Sequence, residues 1–215
     1  MVAKPPEAVV FDIGRVIVRL DLQRAFTAFS LGVSTSKSLD SSQVPTPQQI
    51  WTTIQTDRRF FDWQEGRITP QRWYEHITRQ LGVTVAFEEF CVAWNSMLDP
   101  QAILPDNLFA QLATRYRLGL LSNTDPIHAA HLEACYSFVE HFPVRIYSHE
   151  VGASKPSPVI YQAALTALDV TPAEALYIDD VAEYAEAARQ LGFDAIQFET
   201  PQQLGGELSR RGLIP

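Results

Sequence analysis

The chain has 215 residues, 46% hydrophobic and 11% aromatic, and its 17 Lys and Arg against 25 Asp and Glu give a formal charge of −8. That apolar share supports a packed core and excludes disorder, and the acidic balance excludes a general nucleic-acid binder, which needs a positive face. Cys91 and Cys135 form neither a CxxC pair nor a Cys/His cluster, so they are expected to be buried free thiols of a reducing compartment. The stretch Met1-Val-Ala-Lys-Pro-Pro-Glu7 lacks the apolar run of a signal peptide, and no later run approaches the ~20 residues that cross a bilayer. The expected setting is cytoplasmic, with no membrane partner.

Ala8-Val-Val-Phe11 is a continuous apolar run that ends in Asp12 and then Gly14. This pattern predicts a strand buried on both faces that delivers a carboxylate at its C-terminal edge. Over residues 22–100 the rhythm changes to helices alone, near 22–31, 46–57, 70–81 and 86–97, with a Ser/Thr/Pro-rich loop over Ser34–Pro47. Thr69-Pro70 and Gly82 supply the N-cap, N1 and C′ residues of one of these helices. Trp51, Phe60, Phe61, Trp63, Trp73 and Trp94 are expected to form the core of this block; the alternative puts Trp63 or Trp73 on a substrate pocket.

Beyond residue 100, helices near 106–116, 126–141, 157–168, 182–191 and 201–211 alternate with strand patterns. The strands are Leu118–Leu121, Val144–Tyr147, Ala175–Ile178 and Asp194–Phe198. Thr171-Pro172-Ala173-Glu174 has capping-box spacing, and Gly192 closes the helix that begins near Ala182. His128, His131 and His149 are expected at the surface or facing the helical block.

Alternating strands and helices imply right-handed crossovers, hence an α/β fold: a Rossmann-like, mostly parallel sheet with helices on both faces. Residues 1–21 and 101–215 would form this core, and 22–100 a small all-helical cap over its active edge. Ligands of such sheets bind at the carboxyl ends of the strands. Asp12, Ser122 and Asp179-Asp180 all stand at such ends.

Four segments occur in order: Phe11-Asp12-Ile13-Gly14-Arg15-Val16, Leu121-Ser122-Asn123-Thr124, Gly152-Ala-Ser-Lys155-Pro156 and Ile178-Asp179-Asp180. With them the chain resembles the haloacid dehalogenase-like (HAD) hydrolases over nearly its whole length. The stretch Gln64-Glu-Gly-Arg-Ile-Thr-Pro-Gln-Arg-Trp73 is similar to the helical cap of the small phosphatase-like branch. The resemblance implies a Mg²⁺-dependent phosphomonoester hydrolase, a monomer or homodimer, acting on a small phosphorylated metabolite, with sugar phosphates among the candidates. It makes Asp12 the nucleophile that forms an aspartyl-phosphate. Mg²⁺ would be held by Asp12, the Gly14 carbonyl and Asp180, with Asp179 bound directly or through water. Ser122, Asn123 and Lys155 would hold the phosphoryl group, and Lys155 would also balance the carboxylates.

The chain departs from that pattern at several positions. Gly14 stands where most phosphatases of the superfamily carry the Asp that serves as general acid and base. Arg15 replaces a common Asn, Arg19 stands where an acidic residue is common, and Tyr184 occupies a position often filled by Asp or Asn. Two alternatives stay open: a metal-free haloacid dehalogenase, which Asp179-Asp180 argues against, and a catalytically weak binding or regulatory member, which Gly14 favours.

Overall fold

The computed structural model describes residues 5–27 and 46–215. The end of the expected helix 22–31 and most of the expected loop Ser34–Pro47 lie outside them; Thr46 and Pro47 instead cap and begin a helix. In chain order the elements are β1 (Ala8–Phe11), β2 (Val18–Leu20), α1 (22–27), α2 (Pro47–Thr56), α3 (Arg58–Gln64), α4 (Pro70–Leu81) and α5 (Phe87–Asn95). Then follow β3 (Leu98–Ala102), α6 (Asp106–Ala113), β4 (Arg117–Ser122), α7 (Pro126–Cys135), β5 (Val144–Tyr147) and α8 (Ser148–Val151). The chain closes with α9 (Pro158–Leu168), β6 (Ala175–Asp179), α10 (Ala182–Gln190), β7 (Asp194–Gln197) and α11 (Pro201–Arg210).

Five strands form one parallel sheet in the order β5-β4-β1-β6-β7. All four residues of β1 are fully buried because both faces of the sheet are covered. Val9 and Phe11 pack with Phe109 of α6 and Leu204 and Leu208 of α11, while Ala8 and Val10 pack with α9 and α10 through Ile160, Ala164 and Ala185. The register sets Phe11 beside Leu120 and Ile178. Asp12, Ser122 and Asp179 therefore leave the sheet at one edge.

A second, two-stranded antiparallel ribbon, β2 with β3, is absent from the sequence reading. It sits where the chain leaves the sheet for the helical block and where it returns. β3 reads Leu-Asp-Pro-Gln-Ala with only Leu98 buried, so neither alternation nor an apolar run marks it. The stretch 126–141 also differs: α7 stops at Cys135, Tyr136 is extended, and a short 3₁₀ turn follows over Ser137–His141. The break lets Tyr136 and Phe138 both enter the core.

Helices α1 to α5 enclose their own core, which includes Phe26, Ile54, Trp63, Trp73, Phe90 and Trp94. The Trp63 and Trp73 rings stack at 5.0 Å. Phe61, expected inside, is 53% exposed, because it lies on the outer face of α3. Thr69 caps α4 and Gly82, at φ 68°, ends it, as expected. The cysteines are free, but neither is buried as expected: Cys91 is partly buried and Cys135 exposed. Among the described residues, no helix is long and apolar enough to cross a membrane.

Candidate active site

Strand ends, rather than long loops, supply the groups at the sheet edge. Asp12 follows β1 directly and is nearly buried; its N–H donates to the Ile178 carbonyl at 2.8 Å, which locks its position against β6. Lys155, 4% exposed, reaches in from the segment between α8 and α9. Its ammonium donates to Asp12 Oδ1 at 2.6 Å, to Asp179 Oδ2 at 2.8 Å and to the Leu121 carbonyl at 3.2 Å. The rings of Tyr184 and Tyr177 lie 5.1 and 5.9 Å from it.

Asn123 holds this lysine by its main chain. Its amide nitrogen donates to the Lys155 carbonyl at 3.0 Å, and its Oδ1 accepts the Lys155 N–H at 2.7 Å. The Asn123 side chain is thus committed to positioning the lysine. Asp179 is committed too: Oδ2 accepts from Lys155 and from the Tyr177 hydroxyl, and Oδ1 accepts from the Val181 N–H at 2.8 Å. Asp180 is more open and faces Arg15, whose guanidinium lies 3.9 Å away.

Carboxylate oxygens of Asp12, Asp179 and Asp180 lie within 4.8 Å of one another. Among the described residues, only Lys155 opposes them from within the buried cluster. Burial pushes the Asp12 carboxyl up to about 7, against the pull of Lys155. Burial and the neighbouring Asp179 raise Asp180 as well. Burial alone would lower the Lys155 pKa; Asp12 and Asp179 reverse this and hold it above its usual value. Such a surplus of hard oxygen donors suits a divalent cation such as Mg²⁺.

Gly14 sits on the turn after Asp12, outside the left-handed region, and a Cβ there would meet Leu20 Cδ1 at an ordinary 3.5 Å. Arg15 takes the left-handed conformation, with φ 61°, as its N–H turns back to the Val18 carbonyl. This bend, an uncommon one for a side-chain-bearing residue, keeps the chain tight beside Asp180.

The helical block docks on this edge through two sets of contacts. Asp125, N-cap of α7, accepts Ile127 and His128 N–H groups on Oδ1 and the Trp94 indole N–H on Oδ2 at 3.1 Å. His128 Nδ1 also lies 3.1 Å from Oδ2, its Nε2 is 3.0 Å from the Trp94 carbonyl, and its ring stacks on that indole. Burial would raise the Asp125 pKa and lower that of His128, yet each holds the other in its charged form. In the second set, the Ser148 hydroxyl donates to the Gln64 carbonyl at 2.7 Å, and Glu65 Oε1 accepts the Ser154 N–H at 3.1 Å, one residue before Lys155. A Cβ on Gly66 would come within 2.1 Å of the His149 carbonyl oxygen, so only glycine permits this approach.

The edge therefore brings together Asp12, Gly14, Ser122, Asn123, Lys155, Asp179 and Asp180, the residues singled out from sequence. Of the histidines, His128 is buried against the helical block and not on the surface, because Asp125 and Trp94 satisfy both its nitrogens. Trp63 and Trp73 do not line the cavity behind Gly14; Trp51, Phe60 and Trp94 do. Sequence reasoning missed Asp125, Tyr177 and Glu65. Asp125-Pro126 before a helix is a legible cap, but its contact with Trp94 joins distant segments.

Comparison with known proteins bears on the family and the fold. The model of the haloacid dehalogenase-like hydrolase family matches residues 6–192. A D-ribitol-5-phosphate phosphatase of Bacteroides thetaiotaomicron is 26% identical over 209 residues, covering 94% of this chain and 96% of that protein. A HAD family enzyme of the same organism, crystallised with magnesium and inorganic phosphate, superposes with a TM-score of 0.75 at 26% identity, over 91% of this chain and 95% of the other. The L-2-haloacid dehalogenase of Xanthobacter autotrophicus shares the fold, with a TM-score of 0.62 at 21% identity, over 98% and 85% of the two chains.

Proposed function

The chain belongs to the haloacid dehalogenase-like hydrolases, and from that premise we propose that it hydrolyses phosphomonoesters of small metabolites, with Asp12 as nucleophile. The observation that carries the reading is the buried Lys155 bridging Asp12 and Asp179, with Asp180 beside them at the open edge. Asp12, the Gly14 carbonyl and Asp180 would hold Mg²⁺, whose charge, when bound, offsets that of the phosphate and the carboxylates. Asp179, which accepts three hydrogen bonds, orients Lys155 and keeps a position on Oδ1 that would meet the ion directly or through water. Residues 22–100 act as a cap over a core of 1–21 and 101–215.

In the reaction, an Asp12 oxygen attacks phosphorus as the bond to the leaving oxygen breaks, giving an aspartyl-phosphate. Ser122 and the neighbouring main-chain N–H groups bind the phosphoryl oxygens, and the Lys155 ammonium opposes their charge. Water then cleaves the acyl-phosphate and regenerates the carboxylate. The intact acidic pair Asp179-Asp180 speaks for this chemistry over metal-free dehalogenation. The relative that acts on ribitol 5-phosphate supports a phosphorylated metabolite of comparable size as substrate.

Phosphate release from a panel of small phosphate esters, with Mg²⁺ and with EDTA, tests the reading. Turnover should fall at least 10²-fold on chelation. Activity indifferent to EDTA would overturn the metal-assisted mechanism, and an inert protein would be a binding member of the family.

A further inference from the structure

We propose that Glu65 is a positioning residue for Lys155, so that the helical block sets the lysine of the site when it docks; this rests on the phosphatase reading above. Lys155 stands on the short segment between α8 and α9. Among the described residues, the main chain of 153–156 hydrogen-bonds to two side chains outside that segment, Asn123 and Glu65. Asn123 clamps Lys155 at its N–H and its carbonyl, at 2.7 and 3.0 Å. Glu65, which ends α3, takes the adjacent N–H, that of Ser154, on Oε1 at 3.1 Å. The Ser154 hydroxyl is buried without a partner and adds no tie of its own.

The Glu65 carboxylate is itself held in place. Its side chain is 18% exposed, and Oε2 pairs with Arg67, which also donates to Asp62 at 3.2 Å. A main-chain N–H on a carboxylate makes a bond roughly twice as strong as one between neutral groups. The residues on either side leave little slack. The Gln64 carbonyl accepts the Ser148 hydroxyl at 2.7 Å, and Gly66, at φ 69°, lies so close to His149 that a Cβ would stand 2.1 Å from its carbonyl oxygen. Ser148 Oγ in turn accepts the Thr124 N–H at 2.9 Å. Three consecutive residues of the helical block thus grip the lysine's segment and, through Ser148, the loop that begins at Ser122.

A peptide unit anchored alone can still turn about its neighbours; two anchored in succession fix the direction in which the side chain between them leaves. Asn123 anchors from the sheet side and Glu65 from the helical block. Without Glu65, the lysine keeps Asp12 and Asp179 as partners, but its place opposite a phosphoryl group is no longer set from both sides. Misplacement by about 1 Å, caused far from the chemistry, can cost about 10²-fold in rate. The effect of Glu65 therefore passes through Lys155, and it should vanish when the lysine is absent.

A double-mutant cycle on the binding of inorganic phosphate, with saturating Mg²⁺ and read by titration calorimetry, tests this. Glu65→Ala should weaken phosphate binding about tenfold in the parent and less than about twofold in Lys155→Ala. Glu65→Gln keeps an oxygen that accepts the Ser154 N–H, and should stay within about twofold of the parent. Amide exchange, followed by NMR, gives an arm free of ligand: the Ser154 N–H should exchange about tenfold faster in Glu65→Ala and at the parental rate in Glu65→Gln. Equal losses of phosphate affinity with and without Lys155, or an unchanged Ser154 exchange rate, would overturn the positioning role and leave the phosphatase reading intact. A parent protein that neither binds phosphate nor hydrolyses an ester would remove that reading, and the proposal with it.

Discussion

Lys155 with Asp12 and Asp179, and His128 with Asp125, are both buried ionic clusters, set around the end of the same strand, β4. In the second, Asp125 receives two main-chain N–H groups, an indole N–H and the imidazole, and its pKa falls while that of His128 rises. In the first, carboxylates outnumber the cation, and burial leaves Asp12 at about 7. Burial is equally deep at both places. The number of partners per charge decides whether a cluster is at rest or short of a cation, and only the second condition invites a ligand.

Replacing one carboxylate in each cluster should separate them most sharply. Asp12→Asn should lower turnover by about 10⁴-fold or more, since the proposed nucleophile is lost, yet keep the fold. Because the Asp12 pKa is raised on folding, its ionisation costs stability as pH climbs from its ordinary range through about 7. The Asn variant should therefore melt no lower than the parent at pH 8 without metal. Asp125→Asn strands the His128 charge and should cost about 3–5 kcal/mol, roughly 10 °C in melting temperature. Equal melting shifts in the two variants, measured by calorimetry, would remove the distinction.

Gly14→Asp sharpens the contrast by adding a further carboxylate to the cluster that already has a surplus. The backbone and the space near Leu20 admit it, and its proton should serve the leaving oxygen. Cyclohexyl phosphate turnover should rise about 10²-fold, with phenyl phosphate little changed; an equal gain on both esters would argue against acid catalysis.

The smallest effect is a pH signature. His128, with a raised pKa, contributes stability below its ordinary value of 6.5 that is lost as pH rises through its folded pKa. Asp125, with a lowered pKa, contributes stability above its ordinary 3.8 that is lost as pH falls through its folded value. The melting gap between parent and His128→Gln should thus be widest between these limits and narrow in alkali. A gap constant from pH 5 to 9 would show that His128 acts by shape alone.

The central strands are legible in sequence because burial on both faces writes an unbroken apolar run that stops at a polar residue, as at Phe11-Asp12 and Ile178-Asp179. Asp12, Ser122 and Asp179-Asp180 are legible for the same reason, since each stands at the end of such a run; Lys155 and Asn123, and the roles of all of them, are implied by the resemblance to the family. The ribbon β2–β3 leaves no such mark, since one face of Leu98–Ala102 is open and Pro100 breaks the pattern. Short α3 and α8 fall below a length at which helical periodicity can be read. What Asn123 and Glu65 do depends on segments brought together from more than 30 and 80 residues away, and spacing along the chain carries no trace of it.

β1 lies in the middle of the sheet, flanked by β4 and β6, while β5 and β7 take the edges. Local opening begins where pairing is one-sided, so the first backbone bonds to be released are those of the outer strands. Asp12, the lysine's carbonyl anchor at Leu121 and the Asp179 carboxylate all hang on the three inner strands. A molecule of this fold can fray at either margin, many times between turnovers, and still keep its reacting groups in register.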